Sequence, residues 1–255
     1  MANYYRQLES PIRRTLIKLL ALMLATGFTA ATAAAEPEAG ADESAKVLPY
    51  KATYGFKAVG LNFTVTRELR PGKGDEWVLT QAGKILVAGI QETAIFSMAG
   101  ADIQPKSYVY QGTGMINRRR EVHFDGSDTI RSLYKDEWYE LPYTDGTLDR
   151  MTQQEQLRFT LINDPTPKED VSVRVADGKR IKDYQLRYVG EEVLKTKLGQ
   201  INTLHFERVH DDDDRRSGFW VAPEWDYLMV KTVHVEDGKE NEAVITGATI
   251  NGRKL

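Results

Sequence analysis

Four Asp-Gly pairs punctuate the chain, at Asp125-Gly126, Asp145-Gly146, Asp177-Gly178 and Asp237-Gly238. Between them lie short runs in which apolar and polar residues alternate. Asp-Gly suits a tight turn that needs positive φ, and a period of two is the signature of a half-buried strand. Turns this regular predict consecutive hairpins rather than βαβ crossovers. The clearest hairpin sets Val171, Val173 and Val175 against Tyr184, Leu186 and Tyr188 about Asp177-Gly178.

The remaining strands follow in order. Tyr50 to Phe56 is the first, and Leu61, Phe63 and Val65 begin a second after Gly60. Glu76 to Gln81 and Ile85 to Phe96 come next, with Gly83 and Gly89 as positions for bulges or bends. Asp102 to Tyr110, Arg118 to Phe124, Ile130 to Tyr134 and Glu137 to Leu141 continue the series. Near the end, Ile201 to Val209 is a strand, Asp211 to Asp214 an acidic loop, and Ser217 to Val221 another strand. Pro223 stops that strand because proline has no N–H for a ladder bond. Leu228 to Val235 and Asn241 to Ile250 close the set.

One stretch breaks the period. Leu148 to Ile162 spaces Met151, Leu157, Leu161 and Ile162 as a helix does. Asp149 or Thr152 serves as its cap, with Glu155 placed for a capping box behind Thr152, and Asn163-Asp164-Pro165 ends it. The fold class expected is mainly β: one large curved antiparallel sheet or open β-barrel of roughly a dozen strands, with one α-helix packed against it or crossing an open end. No linker divides residues 48–255, so they are read as a single β-rich domain.

Residues 1–35 read as an export signal. Arg6, Arg13, Arg14 and Lys18 precede an apolar run from Leu19 to Phe28, and Ala33-Ala34-Ala35 offers small-residue cleavage sites. The apolar core is short for a membrane span of about 20 residues. Arg13-Arg14 also fits a twin-arginine signal. Residues 36–47 form a polar lead-in. The whole chain carries a net charge of −3, and losing four basic residues and Glu9 with the signal takes it to −6. That balance excludes the basic footprint of nucleic-acid binding. Cysteine is absent, which removes disulfides, thiol catalysis and thiolate metal sites, and leaves stability to the core.

Three segments carry a family resemblance. LPYKATYGFKAVGL from Leu48, LDRMTQQEQLRFTL from Leu148 and FWVAPEWDYLMVKTVHVEDGK from Phe219 follow in order at fitting distances. Together they resemble the bacterial exported domain of unknown function DUF3108 over Leu48 to Gly247. Leu228-Met229-Val230 departs from the leucine-proline-valine run usual there. The resemblance implies an exported, mainly antiparallel β domain and supplies no catalytic residues.

The chemistry-bearing residues point more to binding than to catalysis. No G-x-S-x-G elbow and no H-E-x-x-H helix occurs. His205, His210 and His234 with Asp211 to Asp214 raise a metal site, but consecutive acids lack the alternation of a calcium loop and read better as a solvated hairpin tip. No metal or cofactor is expected. Arg118, Arg119 and Arg120 form the basic cluster; on a strand Arg119 faces away from the other two. Arg118 and Arg120 therefore stand as candidate contacts for an anionic headgroup, or as partners for nearby acids. Trp138, Trp220 and Trp225 are candidate contacts for an acyl chain or sugar ring, or else plain β core. The function expected is that of a periplasmic, non-enzymatic envelope protein binding a lipid-like ligand or an envelope protein partner. An envelope-glycan enzyme using paired carboxylates, and an assembly factor pairing through a sheet edge, are the alternatives.

Overall fold

The computed structural model describes residues 47–58, 61–85, 88–166, 170–211 and 214–255. The signal, most of the lead-in and the middle of the Asp211–Asp214 tip lie outside the described residues. In chain order the strands are β1 (Tyr50–Ala58), β2 (Leu61–Pro71), β3 (Trp77–Ile85), β4 (Ala88–Ala99) and β5 (Asp102–Gly114). Then come β6 (Arg118–Phe124), β7 (Thr129–Tyr134), β8 (Glu137–Pro142), the short β9 (Thr147–Leu148) and the helix α1 (Thr152–Asn163). After it follow β10 (Asp170–Asp177), β11 (Arg180–Thr196), β12 (Gly199–Arg208), β13 (Arg216–Ala222), β14 (Leu228–Glu236), β15 (Lys239–Ile250) and β16 (Arg253–Lys254).

All sixteen strands join one sheet in the order 8-7-6-5-4-3-2-1-15-14-13-12-11-10-9, with β16 beside β15. Sequence neighbours pair antiparallel, as alternating strands and tight turns dictate. The exception is β9, which lies parallel to β10 through Thr147 and Leu148. The ladder between β1 and β15 joins the two halves of the chain into one continuous sheet. Because β8 leads into β9 through a short turn, the two ends of the sheet come round to each other. Ser132 Oγ on β7 donates to the Gly178 carbonyl at 2.6 Å across this seam. No ladder joins β8 to β9, so the sheet is strongly curved but open.

The expected strand from Ile85 to Phe96 is the end of β3 and most of β4. Gly83 and Gly89 are regular ladder positions rather than bulges. Their missing Cβ admits close neighbours: an added Cβ would lie 2.8 Å from Val65 and 2.9 Å from Thr113, respectively. The bulges fall elsewhere, one of them between Tyr188 and Gly190. Beyond it the β11–β12 hairpin reverses its buried face, covering Leu194 and Ile201 and exposing Val193.

Helix α1 lies within the trough of the sheet. Leu157 and Leu161 pack on Leu186, Leu204, Phe206 and Val221, while Phe159 meets Phe96 with ring centroids 6.3 Å apart. Each such side chain contributes about 1.5–3 kcal/mol by leaving water. The helix start is held by Asp149, whose Oδ1 accepts the N–H groups of Met151 (2.8 Å) and Thr152 (3.0 Å). Thr152 Oγ1 accepts the Asp149 N–H in return at 2.9 Å. Glu155 is not part of this cap; it turns into the sheet.

Candidate functional site

Charged side chains stand at inward positions of several strands. On β2, Arg67 shares its face with Val65 and Leu69, all buried. On β3 and β4, Gln81 follows Leu79, and Glu92 sits between Ile90 and Ala94. They meet the helix in a continuous network. Tyr50 Oη donates to Glu155 Oε1 at 2.5 Å, and Arg67 Nη2 donates to the same oxygen at 3.1 Å. Arg67 Nη1 donates to Gln81 (3.2 Å), Gln81 Nε2 to Glu92 (3.0 Å), and Tyr108 Oη to Glu92 (2.6 Å). Arg158 pairs with Glu155 at 3.5 Å and donates through Nε to the Asp226 carbonyl at 2.8 Å. Burial, then the nearby carboxylate, pushes the Tyr50 and Tyr108 hydroxyls well above the usual tyrosine range. Burial alone would lower the pKa of Arg67, but Tyr50 and Glu155 together raise it. These groups pin the helix to the sheet.

A second cluster occupies one end of the trough. Antiparallel order puts the β5–β6, β7–β8, β10–β11, β12–β13 and β14–β15 connections at this same end, which forms a mouth. Asp177, the last residue of β10, receives Lys182 Nζ at 2.5 Å, Arg150 Nη1 at 3.5 Å and Arg120 Nη1 at 3.7 Å. Lys182 shares its inward face with Tyr184 and Leu186, and Arg208 shares that of Leu204 and Phe206. The Arg208 guanidinium lies 3.5 Å from the centre of the Tyr184 ring, and that of Arg120 lies 5.0 Å from Tyr134.

The electrostatics show the crowding. Burial lowers the pKa of Arg120, and the Arg150 charge lowers it further. Burial also outweighs Asp177 in depressing Lys182. Burial acts to raise the Asp177 carboxyl, yet Arg150 and Lys182 hold it below the usual range. Nearby, burial pushes Asp149 up to about 6 against its cap hydrogen bonds. Its Oδ2 has no hydrogen-bond partner among the described residues. At the same mouth, Ser217 Oγ lies 2.7 Å from His234 Nδ1 and 3.0 Å from His210 Nε2. Burial lowers the pKa of His234 and favours its neutral form.

The structure thus brings Arg118 and Arg120 to the inner face of β6. Arg119 faces out, bonded to Glu121 (2.5 Å) and Gln111 (3.2 Å). The tryptophans do not converge. Trp138 lies on the outer face of β8, 48% exposed, beneath Arg131 at 4.7 Å. Trp220 stacks on His205 at 4.1 Å, lies under Lys231 at 4.8 Å, and donates Nε1–H to Glu192 at 2.6 Å. Trp225 packs on the core from the Pro223–Trp225 turn, at the opposite end of the sheet. His205 is likewise apart from His210 and His234. Among the described residues, no three His, Asp or Glu side chains gather as metal ligands. An open cleft of about 530 Å³ at the far end has Phe124 and Tyr143 in its wall, but its polar rim is self-satisfied, with Ser127 bonded to Asp125 and Lys106 to Glu76.

Arg150, Asp177, Lys182 and Arg208 were not singled out from the sequence. A signal existed for three of them: Asp177, Lys182 and Arg208 continue the apolar parity of their strands into the interior, and Asp177 meets Lys182 across the β10–β11 hairpin. Arg150 follows β9 and carries no such pattern.

No curated protein matches the chain. Among solved structures, the β-barrel-like domain of unknown function DUF1849 from Brucella abortus is similar at 9% identity, with a TM-score of 0.55. That match covers 81% of this chain and 99% of the other, and it shows the fold alone. A Bacteroides fragilis protein with a YmcC-like fold also aligns, at 9% identity and a TM-score of 0.29 over 78% of this chain and 95% of the other. No helix among the described residues is long and apolar enough to cross a membrane. The model of a protein family of unknown function, DUF3108, matches residues 49–241, and the chain belongs to that family.

Proposed function

We propose that the chain is an exported, non-enzymatic envelope protein that receives a lipid-like ligand at the mouth of its curved sheet. Residues 1–35 direct export, and residues 48–255 act as one binding domain. The observation that carries this reading is the convergence of inward cations from separate segments: Arg120 on β6, Arg150 before the helix, Lys182 on β11 and Arg208 on β12. Buried cations cost free energy, and a fold that gathers them at one opening can bind a polar head there. Because α1 fills the trough, the site lies at the mouth rather than along the concave face. Native mass spectrometry of the mature chain from the periplasm, followed by solvent extraction, tests this. A reproducible extra mass matching an amphiphile is expected. A bare mass, with an envelope protein captured in its place, overturns it in favour of a protein partner.

A hydrolase is the second reading, favoured by one observation: the Ser217 hydroxyl held by the neutral-leaning His234. Labelling of the wild-type chain by a fluorophosphonate, lost in Ser217→Ala, would support it. No labelling rejects it.

A further inference from the structure

The sheet has a notch at the end opposite the mouth. Strand β5 pairs with β4 from Asp102 to Gly114, but with β6 only from Ser107 to Gly112. Among the described residues, the stretch from Asp102 to Lys106 thus has a strand on one side alone. Helix α1 takes the first backbone groups there: Gln156 accepts the Ile103 N–H at 2.8 Å and donates to the Ala101 carbonyl at 3.0 Å. Pro105 has no N–H to offer a neighbouring strand. The notch is therefore poorly suited to adding a strand. It opens into the cleft of about 530 Å³ that Phe124 and Tyr143 help to line, a size usual for a small-molecule site.

The walls of this cleft are held in place. Phe124 and Tyr143 meet edge to face, with ring centroids 6.5 Å apart and planes at 82°. The Tyr143 N–H donates to the Asp128 carbonyl at 2.8 Å, which ties the aromatic wall to the β6–β7 turn. The bonds that satisfy the rim belong to its charged residues: Lys106 pairs with Glu76 at 3.1 Å, and Asp125 accepts from the Ser127 hydroxyl at 2.6 Å. A charged ligand would have to break such a pair. Deeper in the lining, the neutral side chains of Ser97, Gln104 and Thr129 have no hydrogen-bond partner among the described residues. Each can both donate and accept. Ser97 and Gln104 are directly paired across the β4–β5 ladder. A purely apolar ligand would cover these groups and leave them without partners.

We propose that this cleft binds one ring of an uncharged saccharide, with its C–H face against the Phe124–Tyr143 wall and its hydroxyls on Ser97, Gln104 and Thr129. A sugar ring carries both surfaces the cleft provides for: an apolar face that packs on an aromatic side chain, and hydroxyls that donate and accept. The site stands apart from the mouth and does not rest on the ligand proposed there. A plain surface crevice makes the opposite prediction, because no sugar would then move its residues along a saturating curve.

The test is titration of the ¹⁵N-labelled mature chain with two neutral trisaccharides, chitotriose and maltotriose, followed by amide resonances. An open site with one aromatic wall should bind with a Kd on the order of 1 mM, so each sugar is taken to about 10 mM. The backbone amides of Gly126 and Ser127 and the side-chain amide of Gln104 should shift along one saturable curve, while Gly178 at the mouth stays fixed. Tyr143→Ala should weaken binding about tenfold, and Tyr143→Phe, which keeps the ring, should bind as the wild type does. If Tyr143→Ala does not fold, the exposed substitution Gln104→Ala decides, with an expected weakening of about threefold. Tighter binding of chitotriose marks an N-acetylated glycan as the source, and tighter binding of maltotriose a glucan. No saturable shift with either sugar overturns the proposal. So do shifts that Tyr143→Ala and Gln104→Ala both leave unchanged, or shifts at Gly178 without any at Gln104.

Discussion

The two ion networks inside this sheet use the same residue types to different ends. Around Glu155, deep in the trough, Tyr50, Arg67 and Arg158 converge on one carboxylate, and the remaining Arg67 donors reach Gln81 and the Met151 carbonyl. Around Asp177 the cluster lies at one end of the trough, among the strand connections. The first arrangement fixes a helix against strands. The second keeps part of the Arg120 side chain in contact with solvent. Burial of ionisable groups therefore does not by itself mark a site; a route to solvent is needed as well.

The contrast breaks most visibly at Glu155. Glu155→Ala leaves Arg67 and Arg158 as buried cations without their shared carboxylate, and should cost about 3–5 kcal/mol in chemical unfolding. Phosphate should not restore it. The acids on either side of Arg150 sharpen the contrast through pH. Asp149 has a folded pKa near 6, above its ordinary value, so its contribution is fully present below about pH 4 and is lost as pH rises to about 6. The loss is at most about 3 kcal/mol. Asp177 is held below the usual range, so its contribution is present above about pH 4 and fades as pH falls through its folded pKa. Stability measured against pH should fall on both sides of about pH 4, and Asp149→Asn should flatten only the upper slope.

Asp177→Asn itself should cost about 2 kcal/mol in chloride by the loss of charge-assisted bonds, less than Glu155→Ala. The smallest effect belongs to the seam. Gly178 has φ +65°, and an added Cβ would stand 3.2 Å from the Tyr134 ring, so Gly178→Ala should cost about 1 kcal/mol by thermal unfolding.

Much of this fold is legible in the sequence, because alternation and Asp-Gly turns act locally. The hairpin of Val171, Val173 and Val175 with Tyr184 and Leu186 forms as alternation requires, and Arg118 and Arg120 share a face as a period of two requires. The existence of the helix and its packing against the sheet were legible; the strands it meets were not. Surrounded by sheet on several sides, α1 buries Glu155 and Arg158 along with Leu157 and Phe159, so no single apolar stripe shows where it packs. The parallel pairing of β9 was hidden for a related reason, since two residues carry no pattern. The approach of Arg120 to Asp177 depends on the two ends of a sixteen-stranded sheet meeting, and that is a long-range consequence of twist and curvature. Aromatic content pointed to Trp138, Trp220 and Trp225, which the fold distributes over separate surfaces.

The most direct measurement follows both networks at once. Arginine side-chain Nε–H resonances of ¹⁵N-labelled protein, assigned by substitution, are recorded while inorganic phosphate is added. Arg120 and Arg150 should shift along a saturable curve, while Arg67 and Arg158 stay fixed. Equal movement of the two pairs, or movement confined to outward arginines such as Arg119, would contradict the proposed division between a network that holds the fold and one that binds a ligand.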